Sequence, residues 1–396
     1  MKIGILTYHW VPNYGANLQT LSTYNYYKNR GLNPIIINWI PEDTKSYYIR
    51  TAGVEQCNSH YHFMQSECEM THEFSNVNHV DDIINEYGIT HVVIGSDSVF
   101  NISKPYYSLI RRKHVSPTSD HIFPNLFWGR DMTLPHAALS VSCQNADYSK
   151  FYSVKNEVKD ALQGFCYISS RDNWTRDMVD YFTDGETVPI ISPDPVFAFN
   201  TNVRDGFIEK RELLRKYNLP EKYVLFTFNN GRMKASEQWL SQIKKKFNDA
   251  GFCCVYLPKS TGGQVLNLEK KIDFPISPLD WYYLIKYSSG YIGVLMHPIV
   301  VCLHNAVPFY SFDHYGTGPI LFANKDSSKI YHILKKCDML NNHFFLKNHL
   351  LFPNPEEVFD KVANFSYNKA SMFSKSQEKD CLRNFESLTD ELFNSK

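Results

Sequence analysis

The chain lacks most of the short signatures that identify an enzyme on sight. Its 396 residues contain no Gly-x-Gly-x-x-Gly, no Walker A loop, no Gly-x-Ser-x-Gly elbow and no His-Glu-x-x-His pair. Those absences argue against a dinucleotide oxidoreductase, a P-loop enzyme, an α/β hydrolase and a zincin. It also lacks net charge, since 41 basic residues balance 41 acidic ones. No global field draws in nucleic acid, so no nucleic-acid partner is expected and any anionic ligand must be gripped locally. No Cys-x-x-Cys pair occurs, and nine scattered cysteines fit reduced thiols rather than disulfides or a zinc site, so no metal is expected. A charged-then-apolar leader is missing too, because Met1 to Thr7 runs straight into a strand, which implies a cytoplasmic location. The most apolar long stretch, Tyr291 to Phe312, is interrupted by His297, Pro298, His304 and Asn305 and is no membrane span.

What the chain has in excess is aromatic residues: 27 Phe, 26 Tyr and 6 Trp. Tyr and Trp can pack on the apolar faces of sugars, although most such rings fill cores. Apolar runs alternate with helical patterns from the start. Ile3 to Thr7 is a strand, Ala16 to Asn29 a helix, Pro34 to Trp39 a strand, Asp81 to Tyr87 a helix, and His91 to Gly95 a buried strand. The alternation continues to Phe182, then pauses at the Pro-rich passage Pro189 to Pro195 and at Phe197 to Arg204, which read as a linker. It restarts with strands at Tyr223 to Phe228, Cys253 to Pro258 and Gly290 to Leu295 and a helix at Ile330 to Leu334. Such a rhythm predicts α/β architecture with parallel sheets, here as two Rossmann-like domains facing each other across a cleft. The expected boundaries are 1–196 and 197–350, with a helical brace over 351–396. Glu42 to Asn78 and Ile102 to Phe127 break the rhythm and are expected as insertions over the crevice, where long loops tend to carry specificity.

In an open α/β sheet the loops at the carboxyl ends of strands face the ligand. That places His9, Asn13, Tyr14 and Gln19 after the first strand, and Ser96 and Asp97 after Val92-Val93-Ile94-Gly95. Asp97 could equally be a helix N-cap. Arg171 follows Tyr167-Ile168-Ser169-Ser170, and its planar fork suits carboxylate or phosphate, with an ion pair to Asp172 or Asp194 as the plainer alternative. As a strand-end residue it is expected outside the core. His297 ends a strand in the second half. Because Pro298 follows, it is expected to be extended, with its ring in the cleft.

Taken in order, Asn-Tyr-Gly-Ala-x-Leu-Gln at Asn13–Gln19, Gly95-Ser96-Asp97, Ile168-Ser169-Ser170-Arg171-Asp172, Asp194-Pro195 and a strand-end His297 resemble the polysaccharide pyruvyl transferase family over about residues 1–345. The resemblance implies a GT-B-like fold, with the first domain on the acceptor side and the second on the donor side. It implies movement of the enolpyruvyl unit of phosphoenolpyruvate onto a sugar as a ketal, with no other cofactor. By resemblance Arg171 and His297 bind the donor's phosphate and carboxylate, and Asn13, Tyr14, Gln19 and Asp97 line the first-domain crevice. The sequence departs from the family pattern at Ser98, Phe100 and Leu295-Met296-His297-Pro298. Where a basic residue often follows the next strand, it has Phe312-Asp313-His314-Tyr315, so His314 or Lys325 would have to serve.

Phosphoenolpyruvate carries about three negative charges, so a site without metal needs two or three cationic donors. General acid and base groups near neutral pKa suit protonation of its methylene carbon and attack by sugar hydroxyls. His297, Asp97 and Arg171 are the expected catalytic residues, with His9 and His314 as further candidates for proton transfer. The expected partners are phosphoenolpyruvate and a glycan or lipid-linked oligosaccharide, the latter implying peripheral contact with the inner membrane face. The alternatives are a glycosyltransferase using a nucleotide sugar on the same fold, and a non-catalytic sugar-binding protein.

Overall fold

The computed structural model describes residues 1–108, 112–129, 132–204, 208–314, 324–346 and 351–395. In chain order the first half contributes strands β1 (Lys2–Leu6), β2 (Asn33–Ile36), β3 (His91–Asp97), β4 (Tyr106–Ser108), β5 (Lys113–Val115), β6 (His136–Val141), β7 (Tyr167–Ser170) and β8 (Ile190–Ile191). The second half adds β9 (Tyr223–Thr227), β10 (Cys253–Tyr256), β11 (Lys270–Lys271), β12 (Gly290–Gly293), β13 (Phe309–Asp313) and β14 (His343–Phe345). Two parallel six-stranded sheets result, ordered β2-β1-β3-β6-β7-β8 and β11-β10-β9-β12-β13-β14. Strands covered on both faces need continuous apolar runs, and Val92-Val93-Ile94 and Tyr223-Val224-Leu225-Phe226 are all buried. The expected α/β fold with two Rossmann-like domains is the fold observed.

In each sheet the strand order reverses once, between β1 and β3 and between β9 and β12. A crevice opens outside the carboxyl ends at such a reversal. The two crevices face each other, because the helix Tyr14–Lys28, entered from β1, packs against the helix Pro278–Lys286 of the second domain. Tyr14 stacks on Trp281 there at 4.9 Å and 10°.

Two expectations are corrected. The stretch from Glu42 is helical, as Glu42–Ala52 and Val54–Glu67, rather than a run of loop. Its inward positions are few and partly polar (Thr44, then Gln56, His60 and Met64 at steps of four), so no apolar stripe marks it. Pro189 to Pro195 is not only linker, since Ile190–Ile191 pairs with β7 as an edge strand too short to show a pattern.

The last helix, Tyr367–Asn394, follows the second domain yet lies against the first sheet. Phe385 stacks on Tyr26 at 4.1 Å, Asn384 accepts from Tyr167 and donates to Ser169, and Phe393 meets His91 edge-on. No helix among the described residues is long and apolar enough to cross a membrane. Phe385 is fully buried, so Phe385→Ala should cost about 3–5 kcal/mol in urea unfolding. A loss well under about 1 kcal/mol would mean that the docked helix contributes little to stability.

Candidate functional site

Two helices begin in the cleft and meet end to end. One is Tyr14–Lys28; the other is Met296–His304, which follows β12. They approach so closely that a Cβ placed on Gly15 would lie 2.0 Å from ring atoms of His297. Neither helix has a side-chain N-cap, so free amides and two positive dipole ends converge there. His297 is therefore not extended, as expected from Pro298, but the second residue of a helix. Proline is tolerated in a first turn because its missing N–H would have had no partner. The ring still faces the cleft.

Behind this meeting point runs a buried line of charge. Arg171 continues β7, its N–H donating to the Val141 carbonyl at 2.9 Å. Its side chain is almost wholly buried, with Nη1 2.7 Å from Asp194 Oδ2 and Nη2 3.5 Å from Asp97 Oδ1. Arg171 is thus core, contrary to expectation, and its partners are carboxylates behind the crevice. Asp194 also accepts from Gln19 at 2.6 Å and from the Val196 N–H at 3.0 Å, and His297 Nε2 lies 3.8 Å from it. Asp97 ends β3 in the left-handed region, at φ 78°, and no helix starts from it, so the N-cap reading fails. Burial raises the Asp97 carboxyl, but Arg171, Lys329 and His297 together outweigh burial and hold it below the ordinary carboxylate range. His297 Nε2 and Arg171 Nε and Nη2 are buried without a hydrogen-bond partner, a deficit of acceptors that native sites rarely leave unexplained.

Two adjoining cavities open onto this line. One, about 360 Å³, is lined by Asp97, Ser98, Gln144, Lys259, His297 and Lys329 among others. The second, about 280 Å³, shares Asn13, Lys259, Leu295, Met296 and His297 with it. Lys329 starts the helix Lys329–Lys336 and crosses the cleft to donate to Ser98 Oγ at 3.4 Å. Ser98 in turn donates to Asp97 at 3.0 Å and accepts from Gln144 at 2.9 Å. Desolvation, then Arg171, pulls the Lys329 ammonium down to about 8 against the pull of Asp97 and Asp172. Burial likewise lowers Lys259. Burial also lowers His297, outweighing Asp194 and Asp97.

Of the residues singled out in the sequence, the structure brings Asn13, Asp97 and His297 to the cavities. Tyr14 lines the smaller one while spending a ring face on Trp281 and accepting from Gln56 at 3.1 Å. His9 does not reach either cavity: it is fully buried, its ring nitrogens facing the Thr7 carbonyl and Asn38. Gln19 serves Asp194, and Ser96 donates to the Ser140 carbonyl at 3.0 Å. His314 follows β13 and lines neither cavity, and Lys325 lies over the rings of Tyr331 and Phe345 instead. Tyr315 lies outside the described residues. The cations missed were Lys329, one residue before an expected helix, and Lys259, just after an expected strand. Both stand at element ends, which was the available signal. Among the described residues no cluster of His, Cys, Asp and Glu could hold a metal.

Two variants test this geometry. Asp194→Asn removes the closest counter-charge of a buried guanidinium and should cost about 3–5 kcal/mol on chemical denaturation. Gly15→Ala must push the His297 ring aside and should cost about 1–3 kcal/mol, with displaced imidazole resonances in NMR spectra. Wild-type stability and spectra for Gly15→Ala would contradict the close approach.

The molecule resembles solved structures at low identity. UDP-GlcNAc 2-epimerase of Neisseria meningitidis bound to UDP-GlcNAc matches with a TM-score of 0.54 at 8% identity, covering 100% of both chains. MnaA of S. aureus with UDP matches at 0.52 and 9%, covering 99% of this chain and 96% of that one. The spinosyn forosaminyltransferase SpnP matches at 0.52 and 10%, over 100% of both. At such identities these likenesses speak to the GT-B-like fold alone. No curated protein matches the chain. The polysaccharide pyruvyl transferase family model matches residues 13–315, a span running from the Asn13 end of the cleft through Asp97, Arg171, Asp194 and His297, and the chain belongs to that family.

Proposed function

We propose that the cleft transfers the enolpyruvyl unit of phosphoenolpyruvate to two hydroxyls of a sugar in a cell-surface polysaccharide or its precursor, releasing phosphate. The observation that carries this reading is the convergence of Lys329, Lys259, His297 and two uncapped helix ends on one small cavity, opposite the ionised Asp97. A compact trianion suits that concentration of cationic donors. In this reading Arg171 acts through Asp97 and Asp194 rather than by touching the donor, while Lys329 takes the place foreseen for His314 or Lys325.

The chemistry follows from the charge states. Lys329, with its pKa near 8, is suited to protonate the methylene carbon of the donor. The C2 centre so formed is oxocarbenium-like, and the carboxylate of Asp97 favours both it and deprotonation of the attacking hydroxyl. A second hydroxyl then displaces phosphate. One hydroxyl proton replaces the proton given to carbon and the other leaves with phosphate, so the step balances. A lipid-linked acceptor would bring the protein to the membrane surface.

The direct test is to incubate the protein with phosphoenolpyruvate and candidate glycans. Transfer should release phosphate and raise the glycan mass by one pyruvate less one water. Turnover of nucleotide sugars without turnover of phosphoenolpyruvate would replace this reading with a glycosyltransferase. Binding should also depend on pH. A bound trianion raises the pKa of both His297 and Lys329, so each takes up a proton wherever it is neutral in the free protein. Donor affinity should therefore fall as pH rises past the lowered His297 value and fall again above about 8, where free Lys329 is neutral. Lys329→Met should weaken donor binding by roughly tenfold to a hundredfold, as loss of a charge-assisted contact does, and abolish the upper fall in calorimetric titrations. Unchanged affinity and pH profile would remove Lys329 from the site.

A further inference from the structure

The smaller cavity differs from its neighbour in chemistry. Its charged residues, Lys259 and His297, stand on the shared wall, whereas its far side is aromatic: Tyr47, Tyr48, Tyr14 and Trp281. Tyr47 is 45% exposed and stands edge-on against a second tyrosine, Tyr48, at 5.3 Å and 74°. Tyr48 is held in turn by Trp10 at 5.7 Å and 84°. Neither the Tyr47 nor the Tyr48 hydroxyl has a hydrogen-bond partner among the described residues. The helix that carries them, Glu42–Ala52, is fixed rather than loose. Thr44 and Tyr8 both donate to the buried Asp120 at 2.7 Å, and Asp43 accepts from the Ser119 N–H at 2.8 Å.

A preset aromatic wall with free hydroxyls, facing a wall of amides and an ammonium, matches a ligand that has apolar C–H faces and a polar O–H rim. A pyranose ring is such a ligand. A volume of about 280 Å³ falls just below the usual range for drug-sized ligands, roughly 300–1,000 Å³, which favours a single ring over a nucleotide sugar. We propose that this cavity is the acceptor subsite and binds one pyranose ring on Tyr47 and Tyr48. The ring's reactive hydroxyls then cross the shared wall beside Asn13 and His297 toward Asp97. Sugar binding here stands on the cavity itself, and only the direction of the hydroxyls rests on the transfer reading. Specificity for the acceptor thus belongs to the Glu42–Ala52 insertion.

Saturation-transfer NMR and calorimetry on the full chain test this, with methyl galactoside, methyl glucoside, N-acetylmannosamine and UMP as probes and phosphoenolpyruvate titrated separately. Exposed Tyr47 can be replaced without unfolding the protein. Tyr47→Ala should weaken binding of at least one sugar by about tenfold, Tyr47→Phe should weaken it less, and both should leave phosphoenolpyruvate affinity within about twofold of wild type. The proposal is overturned if no sugar binds wild type, if Tyr47→Ala binds sugars as wild type does, or if the variant loses UMP and not sugar. Loss of sugar binding in Tyr47→Ala, together with no phosphoenolpyruvate binding to either protein, would uphold this subsite and remove the transfer reading.

Discussion

The constraint on which the cleft depends is the burial of the Arg171 guanidinium between Asp194 and Asp97. Removing three charges from water costs several kcal/mol for each, and their mutual attraction offsets this only with close geometry. That geometry comes from the strand ends. Arg171 extends β7 through its hydrogen bond to Val141, Asp97 terminates β3, and Asp194 caps the turn Pro195–Ala198. The cluster therefore fixes the relative positions of two strand ends in the first sheet and of the turn that follows β8. It also presents the second domain with an ionised carboxylate, and the second domain answers with Lys329 and His297.

The family's sequence blocks take on a physical meaning from this arrangement. Gly15 is where the His297 ring needs room, and Gln19, one helical turn on, steadies Asp194. The first block is thus less a ligand-binding loop than the surface that receives the second domain and its histidine. Tyr14 belongs to the same surface through Trp281. Binding and domain contact are carried by neighbouring residues on one helix, so a change in either is felt by the other.

How far the sequence could be read depended on burial on both faces. β1, β3, β9 and β12 stood out because a strand covered on each side must be apolar throughout. The edge strands β8 and β11, two residues each, had no pattern to show. The helices Glu42–Ala52 and Val54–Glu67 were hidden because they bury Thr44, Gln56 and His60 rather than leucines. In the site, Asp97 and His297 were legible as polar residues closing apolar runs. Lys329 was not, since nothing in its neighbours shows that it crosses to Ser98. His9 misled for the opposite reason, being polar and at a strand end yet saturated by Thr7 and Asn38.

The long C-terminal helix returns the chain to the first domain, so the peptide passes between the two halves twice, once after Pro195–Ala198 and once before Tyr367. A single tether would let the halves swing in any direction. Two crossings restrict that swing, because any relative motion must satisfy both at once. The outgoing crossing leaves from the turn that Asp194 caps, and Cys381 of the returning helix touches the Asp194 carbonyl, so the departing chain and the returning helix meet directly behind the charge cluster.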